Sequence, residues 1–175
     1  MFRQEAMWSN LPIPPAGKSR ILFTIRRASL ADIPVAMAFV EQVFNLTIAE
    51  EYSSEGVETF LSYVIDIEAA KKRLQDHFIL LAYDRERLAG MIEIRNYDHI
   101  SLLFVAPEFQ KMGCAGQLFD SAMRVCKDNK LDFSSISVNS SPYAVPIYRR
   151  MGFKEISAEM VVNGIRFTKM IWDKE

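Results

Sequence analysis

Gln110-Lys111-Met112-Gly113-Cys114-Ala115-Gly116 follows an apolar, strand-like run and opens a helix-like one. A strand that delivers a glycine-bearing turn to a helix start aims several free backbone N–H groups at one point, and the helix dipole adds partial positive charge there. Gly113 and Gly116 let a ligand approach the backbone where a Cβ would intrude, and Lys111 adds a point charge. Such a turn suits a phosphate, although short glycine turns also serve as ordinary helix starts.

The flanks narrow the choice. Upstream, Ile100-Ser101-Leu102-Leu103-Phe104-Val105 reads as a buried strand closed by Ala106-Pro107, because proline cannot donate to a ladder. Downstream, Leu118, Phe119, Ala122, Met123, Val125 and Cys126 recur at helical spacing and give one apolar face. No Gly-Lys-Ser/Thr follows, so the turn is not a Walker A loop, and the glycine spacing is not that of a dinucleotide fingerprint. A nucleoside triphosphatase or an NAD enzyme is disfavoured.

Working outward, residues 21–27 read as a first strand, and Ser29 with Asp32 as the capped start of a helix whose face continues through Val35, Phe39 and Val43. A second helix is expected near residues 55–75, with Val57, Phe60, Leu61, Val64 and Ile65 inward. A hairpin follows, Phe78–Tyr83 and Leu88–Arg95, joined by Asp84-Arg85-Glu86-Arg87, and Asn96-Tyr97-Asp98 turns the chain into the strand 99–105. A last hairpin pairs 153–162 with 165–172 across Asn163-Gly164, a dipeptide that favours a type I′ turn. Interleaved helices and strands indicate an α/β layered domain.

At 175 residues the chain is one domain by length, preceded by an extension over residues 1–20 that is expected to be a flexible tail, because Pro12, Pro14, Pro15 and Gly17 break any regular element. Phe2, Trp8, Leu11 and Ile13 give that extension enough apolar surface to dock instead on the domain or a partner. A formal charge of −1 gives no broad basic field for a nucleic acid. No apolar run approaches the ~20 residues that span a bilayer. Two cysteines, Cys114 and Cys126, imply no disulfide framework and fit a reducing cytoplasm. Neither His77 nor His99 has partners at metal-ligand spacing, so no metal is expected.

In its motifs the chain resembles the GNAT superfamily of N-acetyltransferases. The family signature Gln/Arg-x-x-Gly-x-Gly/Ala is matched by Gln110, Gly113 and Ala115. Three more features fall in the family's order: the strand ending Val105-Ala106-Pro107, a second strand Ser134–Asn139, and Ala144–Phe153 with its tyrosine and terminal Gly-Phe. The likeness spans residues 21 to 172. It implies a GNAT-like α/β domain over residues 21–175, whose mixed, mostly antiparallel sheet splays between two parallel strands and is flanked by helices. It also implies acetyl transfer from acetyl-CoA to a primary amine of a small molecule or protein; no nucleophile stands out, so the transfer is expected to be direct, and monomer and homodimer both stay open, the last hairpin being able to pair across a dimer.

By the same resemblance, backbone groups of Phe104 and Val105 would hold pantetheine, with one N–H facing the thioester oxygen. Gln110, Lys111, Met112, Gly113, Cys114, Ala115 and Gly116 would hold the pyrophosphate, and Asn139 would contact the cofactor. Tyr148 occupies the position where members carry a tyrosine beside the sulfur; a phenol with pKa near 10 stays protonated at neutral pH, but Tyr148 also suits an ordinary amphipathic helix. His99 stands where members place a glutamate base, and alternation would set it on one face with Ser101 and Leu103. It is otherwise a surface histidine, and Glu93 on the neighbouring strand is the next choice. Cys114 falls where the motif leaves the residue free and is expected to pack rather than carry an acyl group. Glu50, Glu51, Glu55 and Glu58 with Tyr52 would face a cationic acceptor or simply complement a helix dipole. A non-catalytic acyl-CoA sensor of the same fold is the alternative.

Overall fold

The structure is a computed structural model and describes residues 21–173, so the expected extension, 1–20, lies outside the described residues. Eight strands and five helices follow one another: β1 (Thr24–Arg27), α1 (Ile33–Thr47), α2 (Ser54–Ile65), α3 (Ile67–Arg73), β2 (His77–Asp84), β3 (Arg87–Arg95), β4 (His99–Val105), α4 (Cys114–Asn129), β5 (Ser135–Ser140), α5 (Val145–Arg150), β6 (Lys154–Glu155), β7 (Met160–Val162) and β8 (Ile165–Asp173). Their order across the sheet is β1-β2-β3-β4-β5-β8-β6, with β7 paired to β8. Every pairing is antiparallel except β4 with β5.

Both faces of the sheet are covered, which is why β2 and β3 read as apolar runs rather than alternating ones. On one face α4 sets Leu118, Phe119, Ala122, Met123 and Cys126 against Leu80, Ile92, Ile94 and Ile136, and Tyr148 of α5 joins the same cluster. On the other, α1, α2 and α3 set Ile33, Met37, Val40, Phe44, Val64 and Ala70 against Ile79, Leu81, Met91 and Phe104.

Three expectations need correction. The helix expected over 55–75 is two, because Asp66 leaves the helical region (ψ 87°) and its Oδ1 accepts from the Ala69 N–H at 2.9 Å, capping α3. The buried face of α1 is Ile33, Ala36, Met37, Val40, Val43 and Phe44, since the helix begins at Ile33 after a short 3-10 turn; Val43 is inward as expected, but Val35 falls off that face and is exposed. Ile65, at the end of α2, is likewise exposed.

The last hairpin turns at Asn163 (φ 50°) and Gly164 (φ 75°), with Val162 opposite Ile165, as its dipeptide indicates. This turn lies directly on α2: a Cβ on Gly56 would sit 2.1 Å from the Gly164 carbonyl oxygen. Two backbones close that contact, so neither can yield. Gly56→Ala is expected to cost about 3 kcal/mol, read as a lower urea midpoint at unchanged m; an unchanged midpoint would mean the hairpin is not held against α2.

Candidate functional site

The parallel strands β4 and β5 pair only at the start of β4 and the middle of β5, His99 opposite Ser137 and Ile100 opposite Val138. Beyond Ile100 they part, leaving a gap open toward the loop 106–113. The backbone groups that face it follow from the ladder with β3. Ala106 N–H donates to Ala89 O at 2.9 Å, so Ala106 and, two residues back, Phe104 turn toward β3, while Leu103 and Val105 turn toward the gap. The backbone groups facing the gap are thus those of Leu103 and Val105, where the expectation was Phe104 and Val105. Phe104 contributes a buried ring, 5.9 Å from that of Phe60.

A second correction concerns alternation along β4. Glu93 pairs with Leu102 and Ile94 with Ile100, which leaves Ser101 as an extra residue, a β-bulge. The bulge inverts the faces: Ile100 packs with Leu103 and Val105 on the α4 side, Leu102 and Phe104 on the other. His99 and Leu103 thus do not share a face.

At the mouth of the gap the chain takes left-handed steps at Lys111 (φ 62°) and Gly113 (φ 89°) and enters α4 at Cys114. The first backbone bond of that helix is Gln117 N–H to Gly113 O, 3.1 Å. Among the described residues no acceptor takes the six successive N–H groups of Lys111, Met112, Gly113, Cys114, Ala115 and Gly116. A Cβ on Gly116 would meet nothing within 4 Å, so open space lies over the first turn of α4. Unpaired donors at a dipole's positive end, beside unfilled space, fit a pyrophosphate.

Three side chains of the stretch 110–116 are engaged internally. The Gln110 amide donates to Val105 O at 3.1 Å and accepts from the Tyr143 hydroxyl at 2.9 Å. Cys114 is buried under Gly90, and burial pushes its thiol up to about 12, so it packs the loop and offers no thiolate. Met112 packs against the α4-side core. Asn139 is exposed on β5, one residue beyond the last β4–β5 pair.

Tyr148 is buried, its ring edge-on to Phe153 with centroids 5.1 Å apart. No described residue hydrogen-bonds its hydroxyl, yet Glu93 Oε2 is the one buried side-chain N or O without a partner among the described residues. The Tyr148 hydroxyl therefore keeps some open surface while burial raises its pKa well above that of a free phenol.

His99 is half-buried, with Nδ1 2.8 Å from Ser137 Oγ. The Ser137 hydroxyl donates to Asp98 O at 3.3 Å and so accepts from Nδ1–H, leaving Nε2 as the basic nitrogen. Burial, then the charge of Arg95, lowers the His99 pKa, so the imidazole is neutral at neutral pH.

Glu93 sits in a cluster that sequence reasoning missed. Its Oε1 lies 2.6 Å from His77 Nδ1 and accepts from Arg73 Nε at 3.2 Å and Tyr63 hydroxyl at 3.4 Å, while Arg73 stacks on the Tyr63 ring at 3.9 Å. Oε2 is buried and has no hydrogen-bond partner among the described residues. The β2–β3 register held the signal for His77: Glu93 opposes Ile79, which puts His77 on the same face one diagonal away. Tyr63 and Arg73 reach it from helices, with no local sign. On the α1–α2 side, Tyr52 packs against Phe44, and Glu58 lines a groove of about 730 Å³ with Val57 and Leu61. Glu51 instead accepts the Tyr143 N–H at 3.0 Å. Among the described residues no group of three or more His, Cys, Asp or Glu could hold a metal, and no helix is long and apolar enough to cross a membrane.

This geometry has counterparts among known proteins. A family model described as an acetyltransferase (GNAT) domain matches residues 48–174. A GCN5-related N-acetyltransferase from Rhodopseudomonas palustris superposes with TM-score 0.78 at 20% identity, over 89% of this chain and 98% of that one. The PaiA N-acetyltransferase of Thermoplasma acidophilum, solved with coenzyme A, gives 0.71 at 19%, over 88% and 100%. A ribosomal-protein-alanine N-acetyltransferase from Brucella melitensis gives 0.64 at 18%, over 86% and 99%. With a splayed parallel pair, a donor-lined helix start and a family match that runs from residue 48 to residue 174, the chain belongs to the GNAT acetyltransferase family.

Proposed function

We propose that the protein transfers the acetyl group of acetyl-CoA directly to a primary amine. The observation that supports this is the run of six N–H groups, Lys111 to Gly116, that no acceptor takes among the described residues, at the mouth of the β4–β5 gap. Acetyl-CoA supplies the thioester; the protein supplies its placement and the protons. Lys111 to Gly116 hold the pyrophosphate, Leu103 and Val105 present backbone groups to the pantetheine, and Asn139 borders it from β5.

His99 Nε2 takes a proton from the acceptor's ammonium, which frees the lone pair for attack on the carbonyl carbon. As the C–S bond breaks and the C–N bond forms, the Tyr148 hydroxyl gives its proton to sulfur and recovers one from the nitrogen. The products are an N-acetylated amine, CoA thiol and one proton released through His99. Glu93, paired to Arg73 and His77 through Oε1, is the second candidate base; its Oε2 is buried, so that role would need the cluster to open toward the acceptor.

Release of CoA thiol, followed with a panel of primary amines, tests the reaction. Thiol release that requires an amine supports it; acetyl-CoA binding with no release from any amine would favour the sensor. The pH profile separates the bases. With a lowered His99 pKa, kcat is expected to rise through an acidic limb below pH ~6.5 and then level. His99→Ala should abolish that limb and lower kcat by about a hundredfold. An unaltered limb would hand the role to Glu93 or to water.

A further inference from the structure

Tyr143 ties together three parts of the molecule that the β4–β5 gap separates. Its hydroxyl donates to Gln110 Oε1 at 2.9 Å, on the loop after β4, and the same amide donates through Nε2 to Val105 O. Its backbone N–H donates to Glu51 Oε2 at 3.0 Å, on the segment between α1 and α2. Tyr143 itself belongs to the turn after β5, next to the Ala144 cap of α5. The two strands are held at one end by the His99–Ser137 and Ile100–Val138 pairs, and past their other ends by the Tyr143–Gln110 bond. Tyr143 is part-exposed, so this bond lies at the surface of the gap rather than in the core.

From this geometry we infer that Tyr143 is a positioning residue that latches the gap shut, resting on the acetyl-CoA site proposed above. A pantetheine arm running from the donors of Lys111–Gly116 to the backbone of Val105 and Leu103 would have to pass the Tyr143–Gln110 bond, which joins the loop after β4 to the turn after β5. Val105 O, one of the groups it would meet, is capped by the Gln110 amide. Entry breaks the tyrosine–glutamine bond, swings Gln110 off Val105 and leaves Tyr143 held by Glu51 alone. Part of the ligand's binding free energy goes into opening the latch, which lowers apparent affinity by the fraction of molecules that stand open.

Tyr143→Phe removes the donor and keeps the ring. Titration calorimetry and stopped-flow binding of acetyl-CoA should then show a Kd about fivefold lower than wild type, as expected for removal of one hydrogen bond that the ligand must otherwise break, together with faster association. A tyrosine that merely braces the site would give the opposite sign, because its loss loosens the loop. An equal or higher Kd in Tyr143→Phe would overturn the latch while leaving the cofactor site intact. Absence of saturable acetyl-CoA binding to the wild type would overturn the site itself.

Discussion

Tyr148→Phe is expected to lower kcat by about a hundredfold while leaving the melting temperature and the Kd of acetyl-CoA nearly unchanged. The ring is held by the core, edge-on to Phe153, and phenylalanine preserves that contact. The hydroxyl has no hydrogen-bond partner among the described residues, so its removal orphans no protein group. What is lost is the proton for the departing sulfur. Because burial raises the phenol's pKa, the group stays protonated through the alkaline range, and no alkaline limb from Tyr148 should appear in the wild-type profile below pH ~10. Steady-state kinetics beside thermal unfolding checks both halves. Full activity in Tyr148→Phe would make the residue part of the core and nothing more.

Gly116→Asp carries the second large effect, on binding rather than chemistry. A Cβ at this position meets nothing within 4 Å, and residue 116 lies in the first turn of α4, where a carboxylate complements the dipole and glycine is a poor helix former. The unliganded protein should therefore melt at the same temperature or slightly higher. The new charge would stand where the pyrophosphate is placed, at separations where like charges repel by a few kcal/mol near a protein surface. Calorimetry should show the Kd of acetyl-CoA rising by about a hundredfold or more. A Kd equal to that of the wild type would put the ligand away from α4.

The parts legible in the sequence are those written locally. Gly113 marks a left-handed step that only glycine takes freely, Pro107 ends a strand, and the ladder from Leu118 to Cys126 fixes which side of α4 is buried; each is decided within a few residues. The parallel β4–β5 pair and the mixed, splayed sheet followed from the resemblance, not from periodicity. What local pattern could not give was parity. One unpaired residue, Ser101, exchanges the faces of everything after it in β4, and no residue type announces a bulge there. The same holds for the choice between Phe104 and Leu103: whether a backbone group faces the gap or β3 depends on ladder phase, set by Ala106 and Ala89 across the hairpin. Glu93 was singled out as a lone carboxylate. Its meaning changes once His77, Arg73 and Tyr63 converge on one of its oxygens from a strand and two helices.

The melting temperature with saturating acetyl-CoA, with ATP and NADH as controls, decides whether the start of α4 holds the cofactor. A ligand at a hundred times its Kd stabilises by about 2.7 kcal/mol, which moves a domain of this size by several degrees. The site described here predicts that shift for acetyl-CoA, its absence for NADH, and its loss in Gly116→Asp. No shift with acetyl-CoA, or an equal one with NADH, would contradict it, and the roles proposed for Tyr148, His99 and Tyr143 would fall with it.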